Sequence, residues 1–78
     1  MGRPPNRDTD HTGFDGRVLY ALSQFSSAST YRLVGYLGSS QQHVFYALKR
    51  LESLGYVELA RREWAVTRAG KLRLKSGA

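Results

Sequence analysis

The stretch that decides the fold covers residues 39–70 and has the sequence SSQQHVFYALKRLESLGYVELARREWAVTRAG. Its first half predicts an amphipathic helix, because apolar residues recur at spacings of three and four. The predicted inward positions are Val44, Ala47, Leu48, Leu51 and Leu54, and the predicted opposite face holds Gln42, Tyr46, Lys49 and Ser53. Ser39 and Gln42 have the spacing of a capping box at the start of this helix, and Gly55 ends it in the usual C-terminal glycine position. We therefore expect a single helix between Ser39 and Gly55.

Two short strands are predicted after this helix. Residues 56–59 and 64–66, rich in aromatic and β-branched side chains, have the pattern of half-buried strands. The tip between them, residues 61–63, lacks the Asn-Gly or Gly-Gly of a tight two-residue turn, so the sequence leaves the loop geometry open. Thr67 can cap a last short helix that runs through residue 74, although the leucines at positions 72 and 74 suit a strand equally well.

An apolar stripe predicts a first helix upstream of this stretch. Phe14, Val18, Leu22 and Phe25 recur at spacings of four, four and three, which places them on one helical face. Asp15 is the predicted N-cap, because its side chain can accept a hydrogen bond from a free backbone N–H group. A serine-rich turn follows this helix.

The second predicted helix has Ser29 or Thr30 as its N-cap, Leu33 and Leu37 inward, and Gly38 at its end. Gly38 is followed directly by Ser39, the next predicted cap. A join this tight between two helices is typical of the turn in a helix-turn-helix. The predicted core combines all three helices with the first strand, through Val18, Leu22, Leu33, Leu37, Val44, Leu48, Leu51 and Val57.

The positive charge of the chain belongs to its predicted folded part. Residues 1–13 hold both prolines and no aliphatic residue after Met1, which predicts a disordered arm before one domain over residues 14–78. The net charge is +6 and the pI about 10.2. Two arginines and two aspartates cancel in the arm, whereas residues 14–78 carry ten Lys/Arg against four Asp/Glu, a difference of +6. Such a domain attracts polyanions, because neutralising phosphates releases condensed counterions.

Composition and spacing disfavour other function classes. No stretch is a basic amphipathic helix with exposed aromatic residues, so nucleic acid is favoured over a membrane surface. The chain has no cysteine and two histidines thirty-two residues apart, so neither a disulfide nor a metal site is predicted. The carboxylates are scattered and no Gly-rich phosphate loop follows a strand, so we predict no enzyme and no cofactor. Without a membrane span or a signal peptide, we expect a cytoplasmic, nucleoid-associated protein.

From Phe14 to Leu74 the chain resembles the DNA-binding core of the MarR-like and PadR-like regulators. The resemblance rests on the pattern Val44-x-x-x-Leu48-x-x-Leu51-x-x-x-Gly55-Tyr56-Val57, a basic strand pair, and then Val66-Thr67-x-x-Gly70. It implies a winged helix-turn-helix, mainly α with a small β-hairpin (α+β), with three helices plus a two-stranded wing. In those families the third helix enters the major groove and the wing touches the backbone or the minor groove. They dimerise through long helices outside this core, for which this chain has no length, so no small-molecule ligand is expected.

The resemblance implies which residues contact double-stranded DNA. On the third helix and at its start these are Ser39, Ser40, Gln42, His43, Tyr46, Lys49 and Arg50. Wing contact is implied for Arg61 and Arg62. Arg32 on the second helix is a further candidate, because the second helix of such motifs crosses the phosphates. A homodimer is expected, because most readers of this kind pair two half-sites about one helical turn apart.

The candidates on the third helix also have structural explanations. Gln42 can read adenine, or it can merely complete the capping box. Tyr46 either contacts DNA or covers neighbouring apolar surface. Lys49 and Arg50 either bind phosphates, which we favour, or form an ordinary solvated helix face. For His43, a half-buried structural role is favoured over a base contact.

The aromatic residues and the wing arginines also have structural explanations besides binding. Arg61 and Arg62 either grip the DNA backbone or keep an edge strand soluble. Trp64 is favoured as a core residue over one that stacks on a sugar. Phe45 and Tyr36 fall outside the core stripes, so each either faces a partner subunit or packs on the first helix.

Three functions remain open at this point. The favoured one is a sequence-specific transcriptional regulator, dimeric on a palindromic site. The second is an architectural or replication-associated DNA-binding module, which would recognise shape and backbone more than sequence. The third is a winged helix used only for protein–protein assembly, which the basic charge balance disfavours.

Overall fold

The computed structural model describes residues 13–76. The elements follow the predicted order, with one further helix after the hairpin, and are α1 (Phe14–Ser23), α2 (Thr30–Leu37), α3 (Gln41–Ser53), β1 (Val57–Ala60), β2 (Glu63–Val66) and α4 (Arg68–Ser76). Residues 1–12 of the predicted arm lie outside the described residues. Gly13, which we assigned to the arm, is buried and is the N-cap of α1.

Asp15 is not the N-cap of α1, contrary to prediction. The helix begins at Phe14, so Asp15 lies within its first turn and is only 3% exposed. Its carboxylate accepts hydrogen bonds from Nε and Nη2 of Arg50 on α3, each at 2.7 Å. A carboxylate in the first turn is also stabilised by the helix dipole. Asp15 therefore ties α1 to α3 instead of capping its own helix.

The helix-turn-helix is built from two serine caps and one glycine. The Ser29 hydroxyl accepts a hydrogen bond from the Arg32 N–H group, which confirms Ser29 as the cap of α2. Gly38 ends α2 with φ 69°, the left-handed conformation in which glycine has no steric penalty. The predicted capping box of Ser39 with Gln42 is wrong by one residue. Ser40 caps α3, because its extended backbone lets its hydroxyl accept from the third helical N–H group, at 3.2 Å.

The hairpin closes through a turn of only two residues. Ala60 pairs with Glu63 and Val57 with Val66, which leaves Arg61 and Arg62 alone in the loop. Their φ angles are 53° and 68°, the pair of positive values that a type I′ turn requires. The missing Asn-Gly signal therefore did not prevent the tight turn, because the pairing of the two strands imposes it.

A segment before α2 widens the hairpin into a small sheet. Ala28 and Trp64 exchange both backbone hydrogen bonds, at 2.9 and 2.8 Å. This bridge places β2 between β1 and the turn that follows α1. The wing is thereby fastened to the helical part at its middle, and only its tip extends beyond the bridge.

The open choice between helix and strand for residues 68–76 is decided by contacts around Thr67. The Thr67 hydroxyl donates to the Gly55 carbonyl at 2.6 Å and accepts from the Gly70 N–H group at 3.1 Å, so it caps α4 as predicted. A Cβ atom on Gly70 would lie 2.2 Å from the Tyr56 carbonyl oxygen. The spacing Thr67-x-x-Gly70 thus allows α4 to pack directly on the chain that enters β1.

The core matches the predicted residues with two exceptions. Every predicted core residue is at most 2% exposed except Leu37, which is partly buried against the core. Leu54, predicted to point inward, is 49% exposed, because α3 ends at Ser53 and Leu54 has already left the helical stripe. Trp64 is a core residue, as we favoured: it is 1% exposed and its Nε1 donates to the Thr30 hydroxyl at 3.1 Å.

Candidate nucleic-acid interface

The outward face of α3 is polar and exposed. Gln42, Tyr46, Lys49 and Ser53 were predicted opposite the core, and all four are exposed. Val44, Ala47, Leu48 and Leu51 hold the other side of the helix in the core. Because α3 begins at Gln41, Gln42 is not the residue that a capping box would use. That structural explanation of Gln42 is therefore removed, and its amide is available for a ligand.

The flank of α3 that faces α1 carries His43 and Arg50. His43 is exposed rather than half-buried as we favoured, with its ring centroid 5.5 Å from that of Phe14. The Arg50 side chain is 54% exposed, whereas the carboxylate that it binds on Asp15 is 4% exposed. This ion pair compensates one positive charge beside the outward face of α3. A phosphate contact by Arg50 stays a prediction, made by a side chain that already has a structural partner.

Lys49 has a weaker partner. Its Nζ lies 3.0 Å from Oε1 of Glu52, three residues further along the helix, and the two side chains are 51% and 37% exposed. Exposed pairs of this kind contribute about 0.2–1 kcal/mol at most and are screened by salt. A phosphate can therefore replace Glu52 at little cost.

Serine residues and Arg32 lie near the N-terminal ends of α2 and α3. Ser40 is exposed and caps α3, while Ser39 is half-buried. Arg32, near the start of α2, is exposed, and its guanidinium lies 5.4 Å from the ring centroid of Phe25. Tyr36 meets the same ring edge-on, with 5.4 Å between centroids. Tyr36 thus packs on the segment directly after α1, and it shares the Phe25 ring with Arg32.

The charge of the wing is divided between its tip and one of its faces. Arg61 and Arg62 are exposed at the tip. Glu58 and Glu63 lie on the face turned away from the buried Trp64, since successive strand residues alternate between faces. Glu63 also accepts a hydrogen bond from the Ser27 hydroxyl. A polyanion is therefore attracted to the tip of the wing and repelled from its outer face.

Two features of this surface escaped the sequence analysis. The Asp15–Arg50 pair joins residues thirty-five positions apart, and no local pattern indicates it. Phe45 was predicted to face a partner subunit or to pack on the first helix and not to join the DNA-binding candidates, and it is 41% exposed on α3 beside Tyr46. A signal for Phe45 was present, because it follows Gln42 by three residues and precedes Lys49 by four, the spacings of one helix face.

Within residues 13–76 no three His, Cys, Asp or Glu residues come together in a way that could hold a metal ion. None of the helices in that part of the chain combines the length and the apolarity needed to cross a bilayer.

Among solved structures, the chain is similar to the crystal structure of Bacillus subtilis PadR, with a TM-score of 0.67 and 19% sequence identity. PadR is a winged-helix transcription regulator. The match covers 97% of this chain and 44% of PadR, so the chain spans less than half the length of that protein. No family model and no curated protein matches the sequence. The likeness confirms the fold that we predicted: the chain is a winged helix, mainly α with a two-stranded β-hairpin.

Proposed function

We propose that this protein is a sequence-specific regulator of transcription that binds double-stranded DNA. In this proposal α3 enters the major groove and the wing tip contacts the backbone. The function is binding, without catalysis or a cofactor. The proposal extends to a homodimer on a palindromic site and to a cytoplasmic, nucleoid-associated location.

The observation that carries the proposal is the outward face of α3. Gln42, Tyr46 and Lys49 occupy positions that the domain itself does not need, since none of them supports the core or caps the helix. A glutamine amide can bind adenine bidentately, and a lysine can bind a phosphate or guanine. An α-helix fits the width of the major groove. The face therefore has the dimensions and the donor groups of a base-reading surface.

The cations of the folded part support binding to DNA. The ten cations and four carboxylates of residues 14–78 leave an excess of +6, which attracts DNA from any direction. Arg61 and Arg62 concentrate charge at the wing tip, and Arg32 adds one at the start of α2. Contacts of this type fix the orientation of a protein on the duplex, while contacts to base edges supply specificity.

The test begins with selection of bound sequences from a random pool of duplexes. We expect an enriched motif and an affinity for it at least about 10³-fold above that for random DNA, the ratio typical of specific binders. Enrichment without a motif would instead indicate an architectural or replication-associated module. The absence of any binding would leave the protein–protein alternative.

Salt dependence provides an independent check on the electrostatic part. The logarithm of the binding constant should fall linearly with the logarithm of salt concentration, with a slope of about −0.9 for each phosphate neutralised. A flat response between about 50 and 200 mM salt would contradict the assignment of the excess charge to phosphate binding. The footprint and stoichiometry on the selected site test the dimer, because a single half-site bound one-to-one would exclude it.

A further inference from the structure

An apolar patch interrupts the polar face of α3. Phe45 and Tyr46 are 41% and 52% exposed, with ring centroids 6.1 Å apart and planes inclined at 54°. Gln42 lies one turn before them and Lys49 one turn after, at spacings that put all four side chains on neighbouring surface. The patch therefore lies within the surface that is proposed to read DNA.

The phenyl ring of Phe45 has no role in that surface if the ligand offers only phosphates. It cannot donate or accept a conventional hydrogen bond, and exposing it to water gives no stability to the domain. Leu48, the residue three positions later, is completely buried and belongs to the core, whereas Phe45 does not. An apolar ring between a glutamine and a lysine instead favours a ligand that presents an apolar group among polar ones.

The major groove of DNA presents such a group. Thymine carries a methyl group at C5 next to its O4 acceptor, and the adenine opposite presents the N7 and N6 groups that a glutamine can bind. None of the other bases carries a methyl group there, unless cytosine is methylated at the same C5 position. We infer that Phe45 is a specificity-determining residue that packs on the C5 methyl group of a pyrimidine, thymine in the first instance, next to an adenine contacted by Gln42. This inference rests on the proposed function and adds the base chemistry that α3 recognises.

The decisive probe is the selected duplex with each thymine replaced, one at a time, by deoxyuridine. This change removes only the methyl group and keeps the pairing with adenine. At one position in each half-site we expect affinity to fall about fourfold, the equivalent of about 0.8 kcal/mol for one buried carbon group. At the same position, a G·C pair containing 5-methylcytosine should bind more tightly than one containing cytosine. A duplex with 5-methylcytosine that outranks the thymine duplex would identify methylated DNA as the preferred ligand.

Variants of the protein test whether Phe45 is the residue that senses the methyl group. For Phe45→Ala, the thymine and deoxyuridine duplexes should bind equally, whereas Phe45→Leu should retain part of the discrimination. Leu72→Ala is the matched control, because Leu72 is an exposed apolar residue (58%) on α4. The Leu72→Ala variant should keep the fourfold ratio of affinities for the thymine and deoxyuridine duplexes. Circular dichroism establishes that each variant is folded.

Several outcomes would overturn the inference. The inference is wrong if the wild-type protein binds the thymine and deoxyuridine duplexes equally at every position. It is also wrong if the selected motif contains neither thymine nor methylated cytosine, or if Phe45→Ala keeps the wild-type ratio of thymine to deoxyuridine affinity. A Phe45→Ala variant that becomes monomeric with its methyl ratio intact would assign the ring to a protein interface. In those cases a strong preference for the selected site over random DNA leaves the proposed function standing. Loss of all DNA binding by the wild-type protein overturns both.

Discussion

The third helix and the wing tip are the two regions that we propose to bind DNA, and they are held in place by different means. Helix α3 is fixed by buried side chains along one side and by the ion pair of Arg50 with Asp15. The wing tip has no core beneath it: Arg61 and Arg62 close the hairpin with positive φ angles. Residues other than glycine cost of order 1–3 kcal/mol each in sparsely populated backbone regions. The core holds α3 in place without backbone strain, whereas the two cations of the wing tip lie on strained backbone.

We therefore expect α3 and the wing tip to make different kinds of contact with DNA. Base reading requires side chains held within a fraction of an ångström, which a helix anchored in the core provides. Backbone contact tolerates a looser element, provided that it carries charge. Asn-Gly at the tip would relieve the strain but would remove both cations. Substitutions that change one region and leave the other intact therefore test this difference.

The largest effect is expected for Leu48→Ala, which removes the support of α3. Leu48 is completely buried, so the change should lower the free energy of unfolding by about 2–5 kcal/mol. Urea denaturation measures it, with Leu54→Ala as the control because Leu54 is half-exposed at the end of the same helix. A cost below about 0.5 kcal/mol, ordinary for a surface position, would show that the inward face of α3 is misassigned.

Arg50→Met should destabilise the domain by removing the partner of a buried carboxylate. Asp15 would stay buried and lose both hydrogen bonds, at a cost of about 1–3 kcal/mol. Lys49→Met is the matched control, since its pair with Glu52 is exposed and the expected change is below about 1 kcal/mol. Equal losses of stability in the two variants would indicate that the Asp15–Arg50 pair does not hold α1 and α3 together.

Gln42→Ala should separate base reading from backbone binding. Its amide supports neither the core nor a cap, so stability should be unchanged. Affinity for the selected site should fall by about 1–3 kcal/mol, while binding to random DNA stays nearly the same. Tyr46→Ala should also lower the affinity for the selected site and leave binding to random DNA nearly the same. Parallel losses on both kinds of DNA would show that α3 only grips phosphates.

Substitutions at the wing tip should raise stability slightly instead of lowering it. Arg61→Asn combined with Arg62→Gly supplies the residues that a type I′ turn favours, so the domain should gain about 1 kcal/mol. Affinity should fall by similar factors on selected and random DNA, and the salt slope should flatten by about one or two units. The control, Arg61→Lys with Arg62→Lys, keeps charge and strain. A loss confined to the selected site would instead indicate that the wing reads the width of a minor groove.

The sequence by itself determined the order of the elements and nearly all of the core. Three helices, two glycine stops and a hairpin were predictable because apolar periodicity and the chemistry of helix ends act over a few residues. The outward position of Gln42, Tyr46 and Lys49 followed from the same periodicity. The errors of one residue, at Gly13, Ser40 and the hairpin strands, arose because several adjacent residues could serve as a cap or strand end.

Tertiary structure alone decided the features that depend on residues far apart in the chain. Asp15 became the anchor of Arg50 instead of a cap because α1 packs on α3. Residues 68–76 became a helix because Gly70 admits the Tyr56 carbonyl at a distance that no side chain would allow. Arg61 and Arg62 took left-handed conformations because the pairing of Ala60 with Glu63 leaves only two residues for the turn. For Asp15 and Gly70, a contact between residues far apart in the chain outweighed a local preference of about 1 kcal/mol. At the hairpin tip, the register of the two strands did so.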